Sequence, residues 1–140
     1  MRKIVALYTL TVISSLVVIA EMTIPQFGEI FSGSLFFLLP FAVLFLFSLL
    51  TLITTLTSKI EGALRTFLLI TGGAGAAIFV SIVLHNIVYG IFVHLFGEGI
   101  WGGLGGDEPV LFILGLIVFP ILYLIGAIGT TANFLIRQRR

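Results

Sequence analysis

The residues best suited to chemistry in this sequence are a histidine and three polar neighbours within a long apolar run. His85 is followed by Asn86 and by Tyr89, and Ser81 precedes it by four residues. Histidine changes its charge near neutral pH, so this group could relay a proton or contact a ligand. A neutral histidine that hydrogen-bonds between helices is the simpler alternative, and it is the one that we favour from the sequence.

Other kinds of site find little support in the pattern of residues. The chain has no cysteine, and His94 follows His85 by nine residues, which places the two side chains on different faces of a helix. The segment GGAGAA at residues 72–77 lacks the Gly-Lys-Ser/Thr ending of a phosphate-binding loop. No serine is paired with a histidine and an acid, and no patch combines basic and aromatic residues. We therefore predict no enzyme, no cofactor, no metal site and no nucleic-acid partner.

The composition indicates which elements must position these residues. Of the 140 residues, 59% are hydrophobic and 9% are charged, whereas soluble domains have about 25% charged residues. Four stretches lack Asp, Glu, Lys and Arg: residues 4–20, 30–58, 66–97 and 109–136. Because about 20 apolar residues span a bilayer as a helix, the sequence predicts one all-α integral membrane domain, residues 1–140. Its four transmembrane helices are predicted at about 4–22, 35–56, 66–92 and 109–136.

The distribution of charge predicts the orientation of these helices. The basic residues are confined to both ends of the chain and to the middle connection: Arg2, Lys3, Lys59, Arg65, Arg137, Arg139 and Arg140. The other two connections contain only acidic charges: Glu21, Glu29, Glu98, Asp107 and Glu108. By the positive-inside rule, we expect a multi-pass protein of the cell membrane with both termini cytoplasmic and two out-and-back hairpins. The first apolar stretch could alternatively be a cleaved signal peptide.

Small residues mark the faces through which the helices are expected to pack. Gly72 with Ala76, and Gly73 with Ala77, are spaced four apart in the third span, which lets another backbone approach closely. Continuing the second pair leads to Ser81, His85 and Tyr89. In the fourth span, Gly126 and Gly129 form the expected partner face, and Pro120 predicts a kink. We interpret the connection MTIPQFGEIFSGS as turns rather than regular structure.

The two acidic connections share the three-residue sequence FGE, at residues 27–29 and 96–98. The offset of 69 residues places the first span over the third and the second over the fourth, as a duplicated hairpin would. Any four-span protein with both termini on one side superposes in this way, so coincidence is the simpler alternative. The acidic residues could also bind a cation, although no calcium-loop pattern is present.

These observations favour a non-enzymatic interaction protein that acts within the lipid bilayer. It would be a homo-oligomer or an accessory subunit among other membrane subunits, because short connections leave almost nothing to project into solvent. The alternative is a small oligomeric channel or transporter that uses the polar patch around His85. The two differ in whether the polar residues converge on a water-filled cavity or pack in a dry interface.

Overall fold

The computed structural model describes residues 1–31, 35–97 and 109–139. The elements are α1 (Arg2–Thr23), α2 (Pro25–Phe31), a 3-10 turn (Leu35–Leu38), α3 (Leu39–Thr57), α4 (Ala63–Phe96), α5 (Pro109–Ile113), a π-helical turn (Leu114–Val118) and α6 (Phe119–Gln138). Within these ranges there is no strand. Four helices are long and apolar enough to cross a membrane: Arg2–Thr23, Phe36–Thr57, Ala63–Phe96 and Pro109–Arg137. The prediction of an all-helical chain with four candidate spans is confirmed at this level.

The longest helix, α4, organises the bundle. It packs against α3 on one side and α6 on the other, and α3 in turn packs against α1. With 34 residues, α4 is about 51 Å long, well beyond the roughly 30 Å of a bilayer's hydrocarbon core. It begins before residue 66 and ends after residue 92, the predicted bounds of this span. The two ends of α4 therefore extend past the length needed to cross a membrane.

Glycines allow the neighbours of α4 to come close. A Cβ atom at Gly72 would lie 2.8 Å from the backbone nitrogen of Leu52 on α3. A Cβ atom at Gly126 on α6 would lie 2.7 Å from the backbone nitrogen of Thr71, and one at Gly129 would overlap the ring of Phe67. These approaches are shorter than real Cβ contacts, so a larger residue at any of these positions would force its neighbours to move. Close packing of this kind is how helices associate where lipid offers no hydrophobic contrast.

The first connection differs from its prediction. Residues Pro25–Phe31 form α2 rather than turns, because Pro25 occupies the first helical position, where its missing N–H is tolerated. The short helix folds back against the end of α1, and a Cβ atom at Gly28 would lie 2.9 Å from the carbonyl oxygen of Glu21. Gly28 thus allows α2 to pack closely against α1, whereas the sequence suggested that this glycine belongs to a turn.

The expected disturbance at Pro120 takes a specific form. The residues just before it, Leu114–Val118, wind as a π-helical turn, and the backbone N–H of Phe119 donates to the carbonyl of Leu114. A proline removes one backbone donor and crowds the preceding turn, and a wider turn relieves that crowding. The π-helical turn also brings Gly115 against α4, where its Cβ would lie 3.1 Å from that of Ser81.

Charge distinguishes the two ends of the bundle. Met1 and Arg137 line one cavity, and Arg2, Lys3 and Lys59 line another beside it. We call this the basic end. The opposite end contains α2, the 3-10 turn and the first residues of α5.

Candidate functional site

Hydroxyl side chains fill much of the interior between the helices. Thr11 of α1 donates to its own helix at Leu7 and accepts from Thr51 of α3 at 3.0 Å. Thr71 of α4 and Thr130 of α6 have their hydroxyl oxygens 3.5 Å apart. None of these four threonines has exposed surface, so their hydroxyls lie in dry contacts between helices. Such bonds stabilise helix association by about 0.6 kcal/mol each on average.

Two tyrosines join α1 to α6, whose backbones stay apart. The hydroxyl of Tyr8 donates to the carbonyl of Ala127 at 2.7 Å and lies 2.6 Å from the hydroxyl of Thr131. The hydroxyl of Tyr123 donates to the carbonyl of Thr11 at 3.2 Å. A long aromatic side chain is needed here because the gap is too wide for direct helix packing.

His85 of α4 lies near the end of the bundle opposite the basic end, and it is half-buried against α5. Its ring is 6.4 Å from that of Tyr89 and 5.7 Å from that of Phe112. Ser81 is buried against Gly115, whereas Asn86 is exposed and donates to the carbonyl of Ile82 in its own helix. The four residues of the predicted patch thus do not converge on one point.

The helical geometry explains why this stripe divides. Residues four apart in an α-helix are offset by about 40°, so the three steps from Gly73 to His85 rotate the direction by about 120°. Gly73 starts the series on the outer face of α4, where its Cβ would meet nothing within 4 Å. Ala77 is half-buried, Ser81 faces the π-helical turn before α6, and His85 meets Phe112 of α5. Gly73 and His85 therefore belong to different surfaces.

A carboxylate that the sequence assigned to a connection is buried inside the bundle. Glu21 belongs to α1 and is only 4% exposed, and neither of its carboxylate oxygens has a hydrogen-bond partner. It continues the core-facing series of α1, which runs through Tyr8, Thr11 and Val18. The spacing of these residues in the sequence could have identified Glu21 as a buried residue of α1. Its charge at the end of an apolar run suggested a place in the connection instead.

Two apolar cavities lie between the helices. One has a volume of about 240 Å³ and contains Phe37, His85 and Phe112 in its wall. The other, of about 220 Å³, reaches Val18 and Tyr123. Five residues line both: Met22, Phe41, Ile82, Gly115 and Leu116. The two cavities are therefore adjacent.

The outward face of α4 carries a row of small and aliphatic residues that the other described helices leave half-exposed or exposed. We call it the α4 seam, and it comprises Gly73, Ala77, Val80, Leu84, Ile87 and Ile91. The spacing alternates four and three, which averages about 3.5 residues and keeps one face toward a partner helix. Val80 and Leu84 are each 42% exposed, and Ile87 is 50% exposed.

The remaining predicted sites divide between exposed and undescribed positions. Glu29 lies on α2 and is exposed, and His94 is exposed in the last turn of α4. Glu98, Asp107, Glu108 and the nearby Trp101 lie outside the described residues. Gly72 and Ala76 are buried, with Gly72 against α3. Within the described ranges, no three His, Asp or Glu side chains are grouped closely enough to hold a metal ion.

Comparison with known proteins gives no relative for this arrangement. No family model, no curated protein and no solved structure matches the chain.

Proposed function

We propose that this chain is a non-enzymatic, multi-pass membrane protein that acts through helix contacts inside the bilayer. It crosses the membrane four times as two out-and-back hairpins, with the basic end and both termini on the cytoplasmic side. Its function is to associate with another transmembrane helix, either of a second copy or of a larger complex to which it is an accessory subunit. The observation that carries this proposal is the α4 seam.

The seam has the features of a helix-packing surface. Gly73 and Ala77 leave room for close approach of a backbone, and the four aliphatic residues beyond them supply interlocking side chains. Inside the bundle, α4 already uses Gly72 and Gly75 against α3, so Gly73 is surplus to the internal packing.

The alternative function, a small oligomeric channel or transporter around His85, has less support. A polar route needs side chains that face a shared, hydrated space. Here the buried hydroxyls of Thr11 and Thr51 bond to each other, and the amide of Asn86 bonds to its own helix. The cavities near His85 are lined mainly by apolar side chains.

A matched pair of substitutions tests the seam. Gly73 and Gly90 are both glycines of α4 at which an added Cβ meets nothing within 4 Å. They point about 100° apart around the helix, so only Gly73 lies on the seam. We expect Gly73→Ile to abolish association, whereas Gly90→Ile makes the same change in helix propensity and should retain it.

The measurement is co-purification from membranes in a mild detergent. A tagged copy expressed with an untagged copy reports self-association, and mass spectrometry of the same eluate reports other membrane subunits. Loss of either class of partner in Gly73→Ile, with retention in Gly90→Ile, supports the proposal. If the two variants retain the same partners to the same extent, the seam is a lipid-facing surface and the proposal is wrong.

A further inference from the structure

A cavity at the basic end gathers positive charge from two separate parts of the chain. Its volume is about 610 Å³, and its wall is formed by the start of α1, the end of α3 and the connection after α3: Met1, Arg2, Lys3, Ile4, Thr54, Ser58, Lys59 and Ile60. Arg2 and Lys3 are distant from Lys59 in the sequence, and the packing of α1 against α3 brings them together. Three cationic side chains therefore border one concave space.

The cavity lies where the apolar runs of both helices end. Arg2 and Lys3 come just before the charge-free run of residues 4–20, and Lys59 comes just after the run of residues 30–58. The start of α1 and the end of α3 share the cavity, so these two helices are antiparallel. In the membrane embedding proposed above, basic residues at the ends of two spans lie at the depth of the lipid headgroups. The cavity is thus level with the phosphate groups of one leaflet.

The described residues provide no anion for these three cations. Among residues 1–31, 35–97 and 109–139, no carboxylate forms an ion pair with Arg2, Lys3 or Lys59. Glu61 is close to Lys59 in the sequence, but it is exposed and lies outside the cavity wall. Clefts lined by charges of one sign concentrate ions of the opposite sign. The positive-inside rule accounts for basic residues at this end, but it does not require them to converge on one cavity.

A hydroxyl group in the same wall adds a hydrogen-bond donor. Thr54 is half-buried, and its hydroxyl forms no hydrogen bond with the described residues. Its neighbours on α3 differ, because the hydroxyls of Thr55 and Thr57 donate to carbonyls of their own helix. The hydroxyl of Ser58 likewise donates to the carbonyl of Thr55. Thr54 is therefore the hydroxyl of this wall that can donate to a ligand.

We propose that this cavity binds the phosphate group of an anionic membrane lipid. Arg2, Lys3 and Lys59 neutralise its charge, and the hydroxyl of Thr54 donates to a phosphate oxygen. Basic pockets between transmembrane helices bind anionic headgroups in this way. A free phosphate ion has the same chemistry and is the second source of such a ligand. This inference rests on the membrane embedding proposed above, but it does not depend on association along the α4 seam.

The test measures lipid binding to the full-length chain by native mass spectrometry, after purification in a neutral detergent and removal of bound lipid. Phosphatidylglycerol carries a net negative charge, whereas phosphatidylcholine is zwitterionic. Each Lys or Arg near an anionic surface contributes about fivefold in affinity, so phosphatidylglycerol should bind at least about fivefold more tightly than phosphatidylcholine. Lys3→Gln combined with Lys59→Gln should weaken phosphatidylglycerol binding by about 25-fold.

A double variant with the same loss of charge is the matched control. Arg65→Gln combined with Arg137→Gln removes two cations from the basic end, but neither residue lines this cavity. It should bind phosphatidylglycerol nearly as tightly as the wild type, because salt screens charges that do not touch the ligand.

A second pair of variants leaves the charge unchanged. Thr54→Val should weaken binding by about tenfold, which corresponds to one hydrogen bond to a charged group. Thr57→Val is its control, because that hydroxyl is exposed, donates to the carbonyl of Ile53 and lies outside the cavity.

Inorganic phosphate distinguishes the two sources of the ligand. Displacement of bound phosphatidylglycerol by millimolar phosphate indicates a free phosphate ion, and retention of the lipid indicates the headgroup. The phosphate site stands in either case if the variant of Lys3 and Lys59 binds more weakly than its control.

Two results would overturn the proposal. In the first, phosphatidylglycerol and phosphatidylcholine bind equally and inorganic phosphate displaces neither. In the second, the two double variants lose affinity to the same extent, so that overall charge attracts the lipid. Circular dichroism establishes that each variant is folded. If the variant of Lys3 and Lys59 does not fold, Thr54→Val and Thr57→Val decide, and equal binding by these two overturns the proposal.

The membrane embedding is tested separately by fractionation of cells that express the chain. A chain that is absent from the membrane fraction contradicts the proposed function. A chain that is embedded in the membrane but shows no preference for phosphatidylglycerol and no binding of phosphate overturns the present inference alone.

Discussion

The glycines of α4 and α6 allow a quantitative prediction about the interface that joins these helices. At Gly126, an added Cβ would lie 2.7 Å from both the backbone nitrogen and the hydroxyl oxygen of Thr71. Ordinary contacts between non-bonded heavy atoms are about 3.5–4.0 Å, so α6 must move by roughly an ångström to admit alanine. Overpacking of this size costs about 1–3 kcal/mol. Gly126→Ala should therefore destabilise the bundle.

Gly90→Ala provides the matched reference, because Gly90 lies on α4 but outside the seam. Both substitutions remove a glycine from a helix interior, which by itself stabilises a helix by about 0.5–1 kcal/mol. At Gly90 nothing lies within 4 Å of the new Cβ, so only this gain applies. The helix-propensity term cancels between the two variants. Their difference in free energy of unfolding should be the overpacking cost alone, about 1–3 kcal/mol.

The assay is unfolding of the purified protein in mixed micelles by added dodecyl sulfate, followed by far-ultraviolet circular dichroism. Adding Thr71→Ala to Gly126→Ala tests which atom of Thr71 causes the loss of stability. The double variant lacks the hydroxyl but keeps the backbone nitrogen, so it should be no more stable than Gly126→Ala. Equal stability of Gly126→Ala and Gly90→Ala would refute the close approach of α6 to α4.

Three other perturbations follow from the same contacts. Substitution of Thr11 and Thr51 by valine, singly and together, should give a coupling free energy of about 0.6 kcal/mol in the same unfolding assay, and additive effects would contradict the bond between them. Tyr8→Phe removes the hydroxyl that links α1 to Ala127 and Thr131, so disulfide formation between cysteines placed at Val5 and Leu135, which line one cavity, should change in rate relative to the parent. An unchanged rate would mean that the Tyr8 hydroxyl does not fix the distance between α1 and α6. Gly28→Val should displace α2 from the carbonyl of Glu21 and speed amide hydrogen exchange at residues 26–31, whereas protection equal to wild type would show that α2 does not rest there.

The number and approximate bounds of the long helices could be predicted from the sequence, because the length of each apolar run indicates the length of the helix that it forms. About 20 apolar residues suffice for a span, and the runs before Glu21, after Gly62 and after Pro109 are each bounded by charge or by helix-breaking residues. The short helix α2 did not follow from it. Seven residues with a proline and a glycine resemble a turn, and α2 is stabilised by its contact with α1, which no local pattern encodes.

The sequence predicted poorly which face of each helix points toward the neighbouring helices. A spacing of four marks one face over two steps, yet it drifts by about 40° per step. The series from Gly73 to His85 consequently joined a surface residue to one beside α5. A spacing that alternates four and three stays on one side of a helix, and that spacing identifies the α4 seam. The periodicity was present in the sequence, but only the positions of α3 and α6 show which face is left uncovered.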